Sequence, residues 1–181
     1  MSPGTWAALV GLAVVAAAVW LYNRLVADRN LVRQGFADID VQLKRRADLV
    51  PQIVEAVRAY AAHEKALLTS IAELRSAALA APKLVERFAH ERQLGERLDR
   101  LVLLQESYPA LKADANFRDL AARLVEVEDH LQYARRFYNG AVKQYVTRIE
   151  QFPDIVLAKL FRFEPMPFFE TADRHAVKVA L

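Results

Sequence analysis

An uncharged apolar run occupies residues 6–22, WAALVGLAVVAAAVWLY. As a helix rising about 1.5 Å per residue it spans about 26 Å, at the short end for a bilayer core. Trp6 stands at one edge, and Trp20 and Tyr22 stand at the other, where aromatic rings favour the membrane interfaces. The run therefore predicts a transmembrane helix. The alternative is a cleaved signal peptide, but no cation precedes the run, and the small residues 16–18 lie inside it.

A different pattern follows, in which apolar residues recur at spacings of three and four, as on one face of an amphipathic helix. They are Phe36, Ile39, Leu43, Ile53, Val54, Val57, Tyr60, Ala61, Leu67, Leu68, Ile71 and Leu74. Cations at 44–46 favour a helix C-terminus, Asp48 can cap the next helix, and Pro51 fits a first turn. We therefore predict a tight helical hairpin, with a second helix over 49–80. The alternative is one helix kinked at Pro51, because the apolar stripe keeps its seven-residue phase.

Two further helices are predicted beyond Pro82. The third covers 83–105, and the fourth begins near Asn116, with Asp119 three residues on as in a capping box. The fourth helix carries the most regular stripe: Phe117, Leu120, Leu124, Val127, Leu131, Ala134, Tyr138, Ala141 and Tyr145. Such regularity is typical of helices packed at shallow angles, as in bundles and coiled coils.

After Pro153 the pattern predicts a short apolar helix and a proline-punctuated tail. This segment holds five of the nine phenylalanines, namely Phe152, Phe161, Phe163, Phe168 and Phe169. We predict that they pack as a cap on the bundle. The alternative is an exposed patch for a partner or for the membrane surface.

Composition and charge refine this picture. The 25 basic and 22 acidic residues are interspersed, which indicates solvated helix surfaces and predicts no nucleic-acid partner. The absence of Cys excludes disulfides, thiolate zinc sites and a cysteine nucleophile. Arg24, Arg29 and Arg33 follow the apolar run and no cation precedes it. We therefore expect a single-pass protein of the inner (cytoplasmic) membrane, with a short N-terminus outside and the C-terminal domain in the cytoplasm.

Candidate chemistry is sparse. Di-metal sites in helical bundles use Glu-x-x-His pairs, but none of the four histidines, His63, His90, His130 and His175, has Glu three residues before it. Glu86 with His90, and Glu126 with His130, have the i, i+4 spacing of surface pairs. No serine lies in a nucleophile motif, and no glycine-rich phosphate loop occurs. We expect no catalytic residue, metal ligand or cofactor, so the chain is not predicted to be an enzyme.

Polar residues that fall in or beside the apolar stripes are the remaining candidates. They are Asn30, Asp38, Asp40, Gln42, Arg46, Arg135, Arg136, Tyr138 and Asn139, called the polar set below. One hypothesis is a buried network that fixes helix register, since buried polar groups need partners. The other is a recognition surface near the membrane end.

Five segments in order resemble the LemA family of bacterial membrane proteins. They are YNRLVADRN (22–30), IDVQLKRRADLVPQIVEAVRAYAAHE (39–64), YPALKADANFRDL (108–120), ARRFYNGAVKQY (134–145) and FPDIVLAKLFRFE (152–164). The resemblance implies one membrane helix and a cytoplasmic antiparallel helical bundle, and it implies no known activity. This chain departs from the family pattern at Tyr145-Val146, where a Tyr-Asn pair is frequent, and at Arg162, where Gly is common.

The combined expectation is an all-α protein, with an N-terminal transmembrane helix that continues into an antiparallel four-helix bundle and ends in a short helix and tail. Its divisions are the anchor, 1–22, and the bundle domain, 23–181. Two functional hypotheses follow. The first is a scaffold or adaptor that binds membrane-associated proteins, with the bilayer as its other partner. The second is a sensor that binds a small ligand or a lipid headgroup between bundle helices.

Overall fold

The structure, a computed structural model, describes residues 2–169 and is all-helical over that range. These residues form six α-helices and one turn of 3-10 helix at Leu104–Glu106. The α-helices are α1 (Pro3–Arg58), α2 (Lys65–Ala80), α3 (Leu84–Leu103), α4 (Pro109–Ala113), α5 (Ala115–Glu150) and α6 (Asp154–Leu160). The predictions of an all-helical fold and of a long apolar N-terminal helix are confirmed.

The described chain divides into two compact units, and α1 and α5 each contribute to both. The anchor unit consists of residues 2–37 and 136–168. The core unit consists of residues 38–135 and Phe169.

The core unit is held together by apolar side chains from α1, α2, α3, α4 and α5. Among the most buried are Ile53, Val57, Ile71, Leu98, Leu101, Leu111 and Phe117. Apart from Leu111 in the short α4, each lies at the apolar phase of its own helix, so the predicted stripes face one another across a common interior. Burial of such stripes, more than helix propensity, stabilises helices of this length in water.

The predicted hairpin at 44–51 is wrong, because α1 continues through Pro51 to Arg58. A proline inside a helix has no N–H, so the carbonyl four residues earlier loses its helical partner. Here that carbonyl belongs to Ala47, and the Nε of Arg75 on α2 donates to it at 2.7 Å. The freed acceptor is therefore satisfied, and the alternative of one continuous helix is correct.

Other predicted boundaries shift for local reasons. The second helix ends at Ala80 as predicted, but it begins at Lys65 because the turn after α1 lies at 59–64. The cap of α5 is Asp114 instead of Asn116. Its Oδ1 accepts from the backbone N–H of Phe117 at 2.7 Å, the bond that defines an aspartate N-cap. This bond and a second one from the Tyr60 hydroxyl lower the pKa of Asp114.

The anchor unit begins with a helical stretch that nothing in the described chain covers. Residues 3–17 of α1 are all exposed, and the first fully buried side chain is Leu25. Trp6 is 59% exposed and Trp20 is 60% exposed, although both are large and apolar. By length and composition, α1 contains a segment capable of crossing a membrane. The predicted run and the apolar segment of α1 coincide.

Beyond Leu25, α1 and α5 run antiparallel in the anchor unit. Asp28 is opposite Gln144 and Arg148, and Gly35 is opposite Tyr138. A Cβ added at Gly35 would stand 3.0 Å from the Cα of Tyr138, so the two backbones approach closely there.

The tail is fixed to the anchor unit by two tyrosine hydroxyls. Tyr138 donates to the carbonyl of Pro167 at 2.7 Å, and Tyr145 donates to the carbonyl of Glu164 at 3.0 Å. Burial raises the pKa of Tyr138 to about 12. The prediction that the five phenylalanines pack is confirmed only in part. Phe163 and Phe169 are buried and Phe168 is half-buried, whereas Phe152 and Phe161 are 84% and 53% exposed.

α6 ends in a motif that explains why glycine suits position 162, where this chain has Arg162. Phe163 N–H donates to the carbonyl of Ala158, and Arg162 N–H donates to that of Lys159, which is the Schellman pairing. The motif places Arg162 at φ 54°, in the left-handed region that favours glycine.

Replacing this arginine should therefore stabilise the protein. We expect Arg162→Gly to raise the free energy of unfolding by about 1 kcal/mol, because it removes the steric cost of the left-handed conformation. Arg162→Ala is the matched control, since it removes the side chain but keeps that cost. Denaturant unfolding followed by circular dichroism in detergent measures both. An equal gain in the two variants would show that the arginine side chain, and not its backbone, is responsible.

Candidate functional site

The most enclosed polar group in the core unit is the guanidinium of Arg46, which has 0% exposure. Its Nη1 donates to Oε1 of Glu128 on α5 at 2.5 Å. Its Nη2 donates to the backbone carbonyl of Glu91 on α3 at 2.8 Å and also pairs with the Glu91 carboxylate. One side chain of α1 thus bonds two other helices, and Arg46, Glu91 and Glu128 are called the ionic cluster below.

The charges of this cluster stabilise one another. Burial by itself lowers the pKa of Arg46, but the carboxylates of Glu128 and Glu91 together outweigh burial and hold that pKa above its ordinary value. Arg46 is therefore charged near neutral pH. Removing one member of such a buried set leaves the others without a compensating charge, which is the costly change in buried ion pairs.

Burial and the charges of the ionic cluster also shift the pKa values of two nearby residues of the core unit, Arg135 and Asp99. Burial, and next the charge of Arg46, lower the pKa of Arg135 to about 10, against the opposing effect of Glu128 and Glu91. Its guanidinium stacks over the ring of Phe169, 4.4 Å from the centroid. Partial burial, and next Glu128, raise the pKa of Asp99, whereas Arg46 lowers it.

The cluster leaves Arg46 no surface with which to meet a substrate. The guanidinium is fully buried, it is bonded to two glutamates, and Gly95 on α3 lies directly against it. A Cβ at Gly95 would be 3.3 Å from Nη1 of Arg46. This geometry fixes the register of three helices, so for Arg46 the hypothesis of a buried network describes the observed arrangement.

The rest of the polar set is dispersed over the two units. In the core unit Asp40 forms an ion pair with Arg87 of α3 at 2.6 Å, Gln42 is half-buried, and Asp38 is exposed. In the anchor unit Asn30 and Arg136 are exposed, and Asn139 is half-buried. Tyr138 is buried and bonds the tail as described above.

Sequence reasoning missed the partners of Arg46, although a signal was present. The apolar stripe of α3 reads Phe88, Leu94, Leu98 and Leu101, and Glu91 occupies the position in phase between the first two. Glu128 similarly lies between Leu124 and Leu131 at helical spacing. When an acidic residue lies in the apolar stripe of one helix and a basic residue lies in the apolar stripe of another, the pattern favours a buried ion pair between them.

A second buried polar group, in the anchor unit, was missed for the same reason. Asp28 is 6% exposed and stands in phase with Leu25 and Val32. Its Oδ1 accepts from Nε2 of Gln144 at 2.8 Å, and its Oδ2 lies 2.5 Å from Nε of Arg148. This contact pairs α1 with α5 about two turns beyond Tyr22, the last residue of the apolar run.

The described residues contain no group of three or more His, Asp or Glu that could hold a metal ion. His130 and Glu126 approach to 3.9 Å as an exposed i, i+4 pair, as their spacing predicts, and His175 lies outside the described residues. Two surface depressions do not involve the polar set. One, of about 410 Å³, is lined by residues including Arg58, Lys65 and Glu73, and the other follows α5.

Comparison with known proteins agrees with the resemblance noted in the sequence. A sequence profile described as the LemA family matches residues 35–181. Two curated relatives are Magnetosome protein MamQ 1 and Magnetosome protein MamQ 2 of Paramagnetospirillum magneticum (strain AMB-1). Each is 22% identical to this chain over 185 aligned positions, which cover 88% of this chain and 68% of the relative.

Proposed function

This chain belongs to the LemA family, and on that premise we propose that it is a membrane-anchored scaffold or adaptor that acts by binding other membrane-associated proteins. The family membership and the similarity to two magnetosome proteins support association with a membrane. The scaffold role is our inference from the structural features that follow.

The observation that carries the proposal is the uncovered apolar stretch of α1. Every side chain from residue 3 to 17 is exposed, yet the stretch contains no charge. A helix that is apolar on all sides needs an apolar surrounding, and a lipid bilayer provides one around a segment of this length. The exposed Trp6 and Trp20 stand near its two ends, where indole rings favour the interfaces.

We propose the following placement. Residues 1–22 form the outer N-terminus and the anchor, and residues 23–181 form a domain on the cytoplasmic side of the inner membrane. Arg24, Arg29 and Arg33 support this orientation, because basic residues beside a span remain in the cytoplasm. Within the domain, α1, α2, α3 and α5 are proposed to form an antiparallel four-helix bundle with coiled-coil-like packing.

Binding is the activity that this arrangement favours over catalysis. The Arg46 guanidinium is fully buried and bonded to two glutamates, so it has no exposed surface on which a substrate could bind. Membrane attachment, in contrast, confines the domain to partners on the same surface, which raises their effective concentration without tight contacts.

The proposal is tested by crosslinking in intact cells. Arg45 is exposed and adjacent to Arg46, so Arg45→Glu reverses surface charge without touching the ionic cluster. Arg136 is also exposed, but it already takes part in an interaction within the chain, which makes it the poorer choice. We expect the wild type to capture specific membrane-associated proteins and Arg45→Glu to lose part of that set. Helicity and melting temperature should be unchanged.

The matched control is Arg100→Glu, an exposed arginine on α3. If the scaffold has a defined binding surface, the set of captured proteins should differ between Arg45→Glu and Arg100→Glu. Capture of abundant background proteins alone, together with stoichiometric binding of a small molecule by the purified protein, would contradict the scaffold proposal. That pair of results would establish the ligand-sensor alternative instead.

A further inference from the structure

The outer face of α6 is apolar and uncovered. Val156 and Leu160, one helical turn apart, are 57% and 70% exposed. The opposite face of α6, with Asp154 and Ala158, is the buried one. The flanking Phe152 and Phe161 are also exposed, so four large apolar side chains lie within ten consecutive residues. We call Phe152, Val156, Leu160 and Phe161 the α6 patch.

The pairing of α1 with α5 places this patch at the end of the apolar segment. Asp28 faces Gln144 and Arg148, and Gly35 faces Tyr138. In an antiparallel pair, each step forward in α5 corresponds to a step back in α1. Glu150, where α5 ends, therefore comes level with the region around Arg24, and α6 follows at the level of Tyr22.

Ring contacts confirm this level. The centroid of Tyr22 lies 4.8 Å from that of Phe161 and 5.9 Å from that of Phe163. Tyr22 is the last residue of the uncharged run, and phenol rings there favour the membrane interface. If the span ends at Tyr22, a residue whose ring packs against Tyr22 lies at the depth of that boundary.

Charge around the patch fits a lipid surface. Between residues 152 and 163 the charged residues are Asp154, which is buried, and Lys159 and Arg162, which are exposed; the exposed Glu150 and Glu164 lie just outside this segment. The surface of this segment is therefore apolar and cationic. Amphipathic segments bind the interface of membranes that contain anionic lipids. Their apolar side chains enter the boundary between headgroups and acyl chains, and their cations meet the headgroups.

We propose that the α6 patch is a second membrane contact, inserted into the headgroup and acyl boundary of the leaflet beside the end of the anchor. This inference rests on the proposed membrane anchoring of α1. Phe152, Val156 and Leu160 enter the boundary, and Lys159 and Arg162 meet anionic headgroups. The patch would hold the anchor unit at a fixed height and tilt on the bilayer, because it adds a second point of contact to the single span.

The experiment uses the full-length protein in lipid vesicles. Because the chain has no Cys, single cysteines at Phe152, Val156 and Leu160 can be labelled with an environment-sensitive fluorophore. Nitroxide lipids then quench it from a shallow or a deep position in the acyl chain. Leu12→Cys reports on the anchor itself. Lys143→Cys is the control, since it is exposed on α5 about 10 Å of helix before α5 ends at Glu150.

We expect the shallow nitroxide to quench the three patch positions several-fold more than Lys143→Cys, and the deep nitroxide to quench Leu12→Cys. Adding Lys159→Glu and Arg162→Glu should reduce quenching at Val156→Cys in vesicles that contain phosphatidylglycerol. In pure phosphatidylcholine vesicles the same two changes should have little effect. All of these substitutions are at exposed positions, and circular dichroism checks that the fold is kept.

Two failures are distinguishable. If Leu12→Cys is quenched and the patch positions behave like Lys143→Cys, the inference is overturned while the anchor stands. The patch would then be free for a protein. If Leu12→Cys is not quenched by either lipid, the membrane anchoring is wrong and this inference is wrong with it.

Discussion

Arg46→Met should lower the free energy of unfolding by about 3–5 kcal/mol, which is the usual cost of removing one partner from a buried ion pair. The methionine fills much of the volume but supplies no charge, so the carboxylates of Glu91 and Glu128 lose their common donor. Glu91 has 3% exposure and has little access to water that could replace the lost bonds. The three helices joined by the cluster, α1, α3 and α5, should loosen together.

Two comparisons isolate this effect. Arg45→Met removes the same side chain from the adjacent exposed position, and it should change stability by less than about 0.5 kcal/mol. Combining Arg46→Met with Glu91→Leu and Glu128→Leu should recover most of the loss, because well-packed apolar residues often replace a buried ion set without cost. Denaturant unfolding of the detergent-solubilised protein measures all three. Wild-type stability of Arg46→Met would contradict the role assigned to the cluster.

Gly35→Ala should destabilise the anchor unit, whereas Gly140→Ala should stabilise it. A Cβ at Gly35 meets the backbone Cα of Tyr138 at 3.0 Å, and a helix backbone cannot move aside cheaply. Overpacking of this kind typically costs about 1–3 kcal/mol. Gly140 also lies inside a helix, but its Cβ would meet nothing within 4 Å. Alanine there should gain about 1 kcal/mol of helix propensity.

Because alanine is the better helix former at both positions, the difference between the two variants measures the steric cost at Gly35. Thermal unfolding followed by circular dichroism should place Gly35→Ala below the wild type and Gly140→Ala above it. Equal melting temperatures for the two variants would mean that α1 and α5 are less closely packed than the structure shows.

The regular part of the fold was predictable because one periodicity runs through it. One series in α1 keeps spacings of three and four throughout and includes both Asp28 and Arg46. Its members are Leu25, Asp28, Val32, Gly35, Ile39, Leu43, Arg46 and Val50. The stripe predicts continuity, but the interpretation of 44–51 as a corner gave more importance to Pro51 and to the cations. The helix continues because Arg46 belongs to the buried stripe, so the cations do not mark a helix end.

The features that could not be predicted from the sequence depend on contacts between residues far apart in the chain. Pro51 is tolerated because Arg75, on another helix, bonds the carbonyl of Ala47. Glu91 and Glu128 could be flagged as acids at apolar phases, but only the folded chain shows that both meet Arg46. Similarly, periodicity cannot reveal that the exposed Phe161 packs against the ring of Tyr22, because the tail has no repeat that would place it.

The proposal that the helical domain lies on the cytoplasmic side is tested by measuring the orientation of the chain across the membrane. Single cysteines replace Ser2 and Ser107, both exposed, in a chain without native Cys. Intact cells are treated with a membrane-impermeant thiol reagent, and lysed cells show that both positions can react. If the helical domain is cytoplasmic, Ser2→Cys is labelled in intact cells and Ser107→Cys is labelled only after lysis. Labelling of Ser107→Cys in intact cells would place the helical domain outside and contradict the proposed membrane orientation.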